Sequence, residues 1–177
     1  MFVDEFQDLD YLKFNFICSI PCISRFYIGD PNQSIYGYSG AANLFNRLSG
    51  FKIERRNTNY RCPQNINDFG EGFLSEENRP KAISNLSYKG VIEKKTIEEL
   101  SEVDCTILCR TNEQVKNVKE RYPFKDVLTI HKAKGLSFDC VAVVGIENLK
   151  ENSEEQNIAY VACTRARQNL IIIKEGN

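Results

Sequence analysis

Five short runs of the chain are apolar on both alternations rather than on one: Met1–Val3, Phe26–Gly29, Thr106–Cys109, Cys140–Gly145 and Leu170–Ile173. Strands buried on both faces read this way, and they belong to parallel sheets covered by helices. Between the runs, apolar residues recur at helical spacing. Leu9, Leu12, Phe16, Ile17 and Ile20 form one stripe. Val115, Val118 and Tyr122 form a second, opened by Thr111 with Gln114 three residues on, a capping-box signature. Ile158, Val161 and Ala162 form a third. Strand alternating with helix predicts an α/β layered fold on a parallel sheet. Residues 75–104 are polar and poorly periodic, which predicts a loop with one strand near Val91–Thr96. The first run starts at Met1 and is followed at once by acids. It reads as a strand with polypeptide normally before it, in a longer parent chain or in a partner.

Composition narrows the function classes. The chain has 177 residues, of which 42% are hydrophobic, enough for one domain or for a small domain plus part of another. A formal net charge of -1 does not drive it onto nucleic acid or anionic membrane, so any DNA binding needs a local basic strip. No signal peptide is visible at the acidic start. The most apolar stretch, residues 11–28, is broken by Lys13, Asn15, Pro21 and Arg25, so no membrane span is expected. Seven cysteines, odd in number and scattered, read as small buried hydrophobes in a reducing cytoplasm. With one histidine there is little material for a metal cluster.

Five stretches carry chemistry. Asp4-Glu5-Phe6-Gln7-Asp8 lies just past the carboxyl end of a strand, the edge where open α/β sheets bind ligands. An aspartate there can hold magnesium and a glutamate can activate water; an acidic helix start is the plainer alternative. Gly29-Asp30-Pro31-Asn32-Gln33-Ser34-Ile35-Tyr36-Gly37-Tyr38 follows the second strand and leads into a helical pattern ending near Leu48. Gln33 offers donor and acceptor to a terminal phosphate and its water, and Tyr36 and Tyr38 offer stacking faces to bases. The alternative is a turn with two core tyrosines. Asn59-Tyr60-Arg61-Cys62-Pro63 sets an arginine fork before a helix start, for a phosphate or for a surface salt bridge. Thr129-Ile130-His131-Lys132-Ala133-Lys134-Gly135 crowds hydroxyl, imidazole and ammonium groups onto one loop that can grip a phosphodiester backbone, or simply face solvent. Arg165 lies on the stripe of Ile158, Val161 and Ala162. A charge pointing where the core points needs an anion, either an internal carboxylate or a bound phosphate.

Taken together and in this order, the stretches resemble motifs II to VI of superfamily 1 DNA helicases of the UvrD/Rep type. Arg110-Thr111-Asn112 resembles the segment between motifs IV and V. The resemblance implies RecA-like (P-loop NTPase type) lobes with parallel sheets. The first, incomplete, spans residues 1–50 and the second spans 51–177, without a large inserted subdomain. It implies ATP and Mg2+ as cofactors and single-stranded DNA as partner, with ATP between the lobes and 3′-to-5′ movement. By the same resemblance Asp4 coordinates magnesium and Glu5 is the general base. Gln33 couples the γ-phosphate to DNA, Tyr60 stacks on adenine, and Arg61 and Arg165 contact the γ-phosphate. Gly135 joins the nucleotide-binding set. Tyr36, Tyr38, Thr129, His131 and Lys134 lie on or near the DNA track.

Departures from the pattern matter equally. No glycine is followed by lysine, so G-x-x-x-x-G-K-[ST], the Walker A loop, is absent from these residues. Ser39 replaces the usual arginine of motif III, and Ser137 stands where a ribose-contacting glutamate is usual. The leading expectation is part of a helicase ATPase that is inactive alone, because nothing in it cradles the β- and γ-phosphates. The alternatives are a degenerate remnant acting as a nucleic-acid- or protein-binding module, and a split enzyme whose Walker A half is encoded separately.

Overall fold

A computed structural model describes residues 1–41, 44–123, 125–146 and 153–174, apart from the side chains of Ser39 and Ser153. It divides into two units, Met1–Arg55 and Arg56–Asn177.

In the first unit, β1 (Phe2–Val3) pairs in parallel with β2 (Phe26–Tyr27), and α1 (Tyr11–Ser19) connects them. Asp10 caps α1 by accepting from the Lys13 N–H at 2.7 Å. That start fixes which helix face meets the sheet. Phe14 and Ile17 pack with Leu9 on the buried core of Val3, Phe6 and Leu44. Phe6 is its centre, with ring centroids of Tyr27 at 4.9 Å and Phe45 at 5.1 Å. The helical stripe expected from sequence is therefore shifted: Leu12 and Phe16 are 80% and 67% exposed. Burial of β1 and β2 on both faces is also corrected. Their register partners Phe2 and Phe26 stack at 4.9 Å on the open face. The helical pattern expected up to Leu48 resolves into 3-10 turns at Gly37–Ser39 and Phe45–Arg47. Gly40, in the left-handed region, ends the first of them.

The second unit opens with β3 (Thr58–Asn59), α2 (Gln64–Glu71) and β4 (Ile83–Ser84), with β3 and β4 parallel. Then follow β5 (Val91–Lys95), β6 (Thr106–Cys109), α3 (Asn112–Arg121), β7 (Val127–Thr129), α4 (Ile130–Ala133), β8 (Phe138–Val144), α5 (Ser153–Cys163) and β9 (Ala166–Ile173). Five of these strands form one parallel sheet in the order β5-β9-β8-β6-β7. Alternation along the strands explains why both sequence parities are apolar. Ile107, Cys109, Ala142, Val144, Ile171 and Ile173 share one core cluster with Val118 of α3. The intervening Leu108, Val141, Val143, Leu170 and Ile172 are equally buried, and α5 packs on β8 and β9. Each such side chain contributes about 1.5–3 kcal/mol by leaving water. Both bonds of the expected Thr111–Gln114 capping box are present. The strand expected near Val91–Thr96 is β5, and the stretch read as loop also contains β4. The expected loop at His131 is the short helix α4, capped by Thr129.

Candidate active site

The site residues read from sequence fall into two groups, one in each unit. In the first unit, Asp4 and Glu5 leave the carboxyl end of β1. Glu5 adopts a left-handed conformation (φ 50°), which costs a non-glycine residue roughly 1–2 kcal/mol. A buried neighbour holds it. Gln7, 2% exposed, donates from Nε2 to the Glu5 carboxylate. The Gln7 side-chain oxygen accepts the Asp30 N–H at 3.0 Å, and its carbonyl accepts from the Ser34 hydroxyl at 3.3 Å. Asp30 in turn accepts from Gln33 Nε2 at 2.9 Å. One hydrogen-bonded line thus joins Glu5 to Gln33 across two loops. Tyr36 belongs to the same cluster: burial raises its phenol above the ordinary range, and the charges of Asp8 and Glu5 add to the shift. Its ring lies 6.1 Å from that of Tyr38, which is 75% exposed.

Gly29 makes the approach of these loops possible. A Cβ there would sit 2.5 Å from the Gln7 side-chain oxygen and 3.0 Å from the Phe6 nitrogen. Gly29→Ala is therefore expected to displace buried Gln7 and to lower stability by about 1–3 kcal/mol. A urea midpoint, read with the amide shift of Asp30, checks it. An unchanged midpoint and shift would mean that Gln7 is not fixed in place.

In the second unit, Asn59 closes a turn over the next two residues, its side-chain oxygen accepting from Arg61 N at 2.8 Å and Cys62 N at 3.1 Å. Tyr60 is left 73% exposed, with its ring available for stacking. The Cys62 thiol donates to the Thr164 carbonyl at 3.3 Å, binding this turn to the end of α5. Burial raises the Cys62 thiol, while the nearby Arg61 and Arg165 guanidinium charges oppose the shift, so both arginines lie within electrostatic reach of one sulfur. Arg165 is 1% exposed, as its place on the helical stripe predicted. Nε donates to the Val161 carbonyl at 3.0 Å, Nη1 to the Leu136 carbonyl at 3.1 Å and Nη2 to the Thr164 hydroxyl at 3.4 Å. Its own carbonyl accepts from Phe138 N at 2.9 Å. Arg165 therefore grips both sides of the segment that follows Gly135, whose φ of +81° favours glycine.

The Thr129 hydroxyl accepts from Lys132 N at 3.2 Å, and Thr129 is only 7% exposed. His131 and Lys134 are half-buried on α4 and just beyond it. Sequence reading missed Gln7, Asn67 and Glu71 as residues that hold these groups. Gln7 was quoted only as part of a motif. Asn67 and Glu71 look like ordinary polar helix residues, yet both are buried. Arg110 makes a two-pronged ion pair with Glu155 (2.7 and 3.1 Å) that raises its guanidinium further and ties the end of β6 to the first turn of α5. Among the described residues, no cluster of three metal-ligating side chains occurs, and no helix is long and apolar enough to cross a membrane.

Comparison with known proteins identifies the family. The sequence profile of the viral superfamily 1 RNA helicase core domain matches residues 1–174. A probable DNA helicase II homologue of Mycoplasma capricolum is 29% identical over 147 residues, covering 76% of this chain and 20% of that protein. A probable DNA helicase of Mycoplasma pneumoniae is 26% identical over 224 residues, covering 97% and 42%. Among solved structures, an arterivirus nonstructural protein 10, a helicase in complex with DNA, superposes with a TM-score of 0.67 at 19% identity, over 97% of this chain and 38% of that one. This last likeness speaks for the fold, which is RecA-like. The chain spans less than half the length of each of these three proteins. Matched by that profile from residue 1 to residue 174, this chain belongs to the superfamily 1 helicase core family.

Proposed function

We propose that the chain is part of an ATP-dependent DNA helicase of the UvrD/Rep type, coupling ATP hydrolysis to 3′-to-5′ movement on single-stranded DNA. Residues 1–55 then belong to the back of the first RecA-like lobe and residues 56–177 form the second. The observation that carries this reading is the line Glu5–Gln7–Asp30–Gln33, in which the buried Gln7 amide and then Asp30 connect a candidate base to a candidate phosphate sensor. The donor set suits the implied cofactors. Asp4 and Glu5 present hard carboxylate oxygens at the exposed end of β1, fit for magnesium directly or through water. Mg-ATP, when bound, supplies the phosphoanhydride whose hydrolysis drives movement. Glu5 orients and deprotonates the attacking water, and Gln33 reports the terminal phosphate. Arg61 offers its fork to the γ-phosphate and Tyr60 its ring to adenine, while Arg165, buried and bonded through Nε, Nη1 and Nη2, brings its positive charge to the γ-phosphate from beneath the Arg61 turn. Tyr36, Tyr38, Thr129, His131 and Lys134 contact the strand by stacking and phosphate bonds.

No Walker A sequence occurs in these residues, so the proposal includes a phosphate cradle supplied by other polypeptide, in a parent chain or a separate half. The open apolar face of Phe2 and Phe26 favours such a cover, because parallel sheets are ordinarily covered on both sides. The test is complementation. Alone, the 177 residues are expected to show no DNA-stimulated ATP hydrolysis. Combined with a polypeptide bearing the Walker A half, they are expected to regain hydrolysis stimulated by single-stranded DNA more than by single-stranded RNA. Salt-sensitive strand binding with no turnover in any combination would instead favour a non-catalytic binding module.

A further inference from the structure

We infer that Asn67 and Glu71 are positioning residues that set the direction of the Arg61 turn. The inference rests on the phosphate-contacting role proposed for Arg61.

Glu71 is 6% exposed and closes α2. Three donors converge on its carboxylate: Asn67 Nδ2 at 2.8 Å, Ala82 N at 3.0 Å and Lys81 N at 3.2 Å. Asn67, 1% exposed, lies one helical turn earlier on the same face. Its side-chain oxygen accepts from Asn59 Nδ2 at 2.8 Å, which leaves the Asn59 oxygen to hold Arg61 N and Cys62 N. Each amide along this path has one donor end and one acceptor end, and either could be turned over. An ionised carboxylate only accepts. Glu71 therefore decides which end of Asn67 faces it, Asn67 decides which end of Asn59 faces it, and Asn59 then presents oxygen to the turn. Reversing Asn59 would set its Nδ2 against the Arg61 and Cys62 N–H groups, and reversing Asn67 would set donor against donor at Asn59 and oxygen against oxygen at Glu71, arrangements that folded proteins avoid. Nothing in this path touches a nucleotide directly. Its output is the backbone direction from which the Arg61 side chain departs.

A role in helix packing alone makes a different prediction from a role in polarity, and a charge swap separates them. In Asn67→Asp, two carboxylates face one another, and their repulsion displaces the side chain at 67 from Asn59. In the double variant Asn67→Asp with Glu71→Gln, the carboxylate moves to position 67. It can accept from Asn59 Nδ2 and from the new glutamine, whose oxygen can still accept from Lys81 N while the bond from Ala82 N is given up. Amide hydrogen exchange on the 15N-labelled 177-residue chain reads the result without ATP. Protection of the Arg61 and Cys62 amides should fall at least 10-fold in Asn67→Asp and recover most of that loss in the double variant. Protection at Val141–Val144 of β8 should stay constant across the series. Ile66→Val, which loosens α2 while leaving the path intact, should leave the Arg61 and Cys62 amides within 3-fold of the parent. Unchanged protection in Asn67→Asp, or a double variant no better than the single one, would overturn the inference. Should Asn67→Asp not fold, the double variant compared with Asn67→Leu decides, with recovery again required of the first and not of the second. Because no nucleotide enters the measurement, failure here leaves the ATPase proposal standing, and failure of complementation leaves this result standing.

Discussion

Arg165→Leu is expected to destabilise the chain by about 2–4 kcal/mol, since each buried acceptor left unsatisfied costs about 1–3 kcal/mol. The reason lies in how the guanidinium is used. Three of its nitrogens serve three different oxygens, on Val161, Leu136 and Thr164. Leucine fills part of the volume and leaves those buried acceptors without these donors. The loss also reaches further than α5, because the Leu136 carbonyl belongs to the segment that leads into β8. Arg165→Lys keeps the charge but concentrates its donors on one nitrogen, which cannot meet acceptors placed around a planar fork. It should recover less than half of the stability. Urea midpoints of the two variants check this, with unchanged slope showing that the folded unit is otherwise the same. A leucine variant within 1 kcal/mol of the parent would show that the fork contributes little to the fold, and the residue would then be available wholly for ligand contact.

Glu5→Gln is expected to lower DNA-stimulated ATP turnover by about 10²–10⁴-fold in the complemented enzyme, the usual span for loss of a general base. Glutamine has nearly the same shape, and its side-chain oxygen can still accept from Gln7. The strained turn at residue 5 therefore survives, while the proton acceptor does not. Stability should change by less than about 1 kcal/mol, and ATP affinity should hold or improve. The pair of readouts is what makes the variant informative. A parallel fall in turnover and stability would assign Glu5 to the scaffold, and full turnover would remove it from the chemistry.

Much of the larger unit was legible in sequence because hydrophobic period and burial coincide there. Thr106–Cys109 is apolar on both parities because both faces of β6 are covered. Thr111 and Gln114 announced α3 because capping is a local affair that needs no distant partner. Arg165 betrayed itself by sharing a stripe with Val161 and Ala162. The smaller unit was harder to read. Among the described residues its sheet has two strands, so residues such as Leu12, Phe16 and Phe2 remain exposed and the apolar pattern overstates burial. The stretch after Tyr36 has helical spacing, but Gly37 and Gly40 favour turns over a continued helix. Gln7, Asn67 and Glu71 were hidden for the opposite reason. A polar residue is normally solvated, and only the position of distant partners such as Asp30, Asn59 and Ala82 shows that it is buried and satisfied.

The link from β7 to β8 has a mechanical consequence. Only residues 130–137, eight in all, carry the chain from one strand across β6 to the other, and α4 takes up four of them. Parallel crossovers generally take a dozen residues or more. A link this short couples His131 closely to Phe138: a displacement of α4 larger than its one helical turn can release must be passed on to the start of β8.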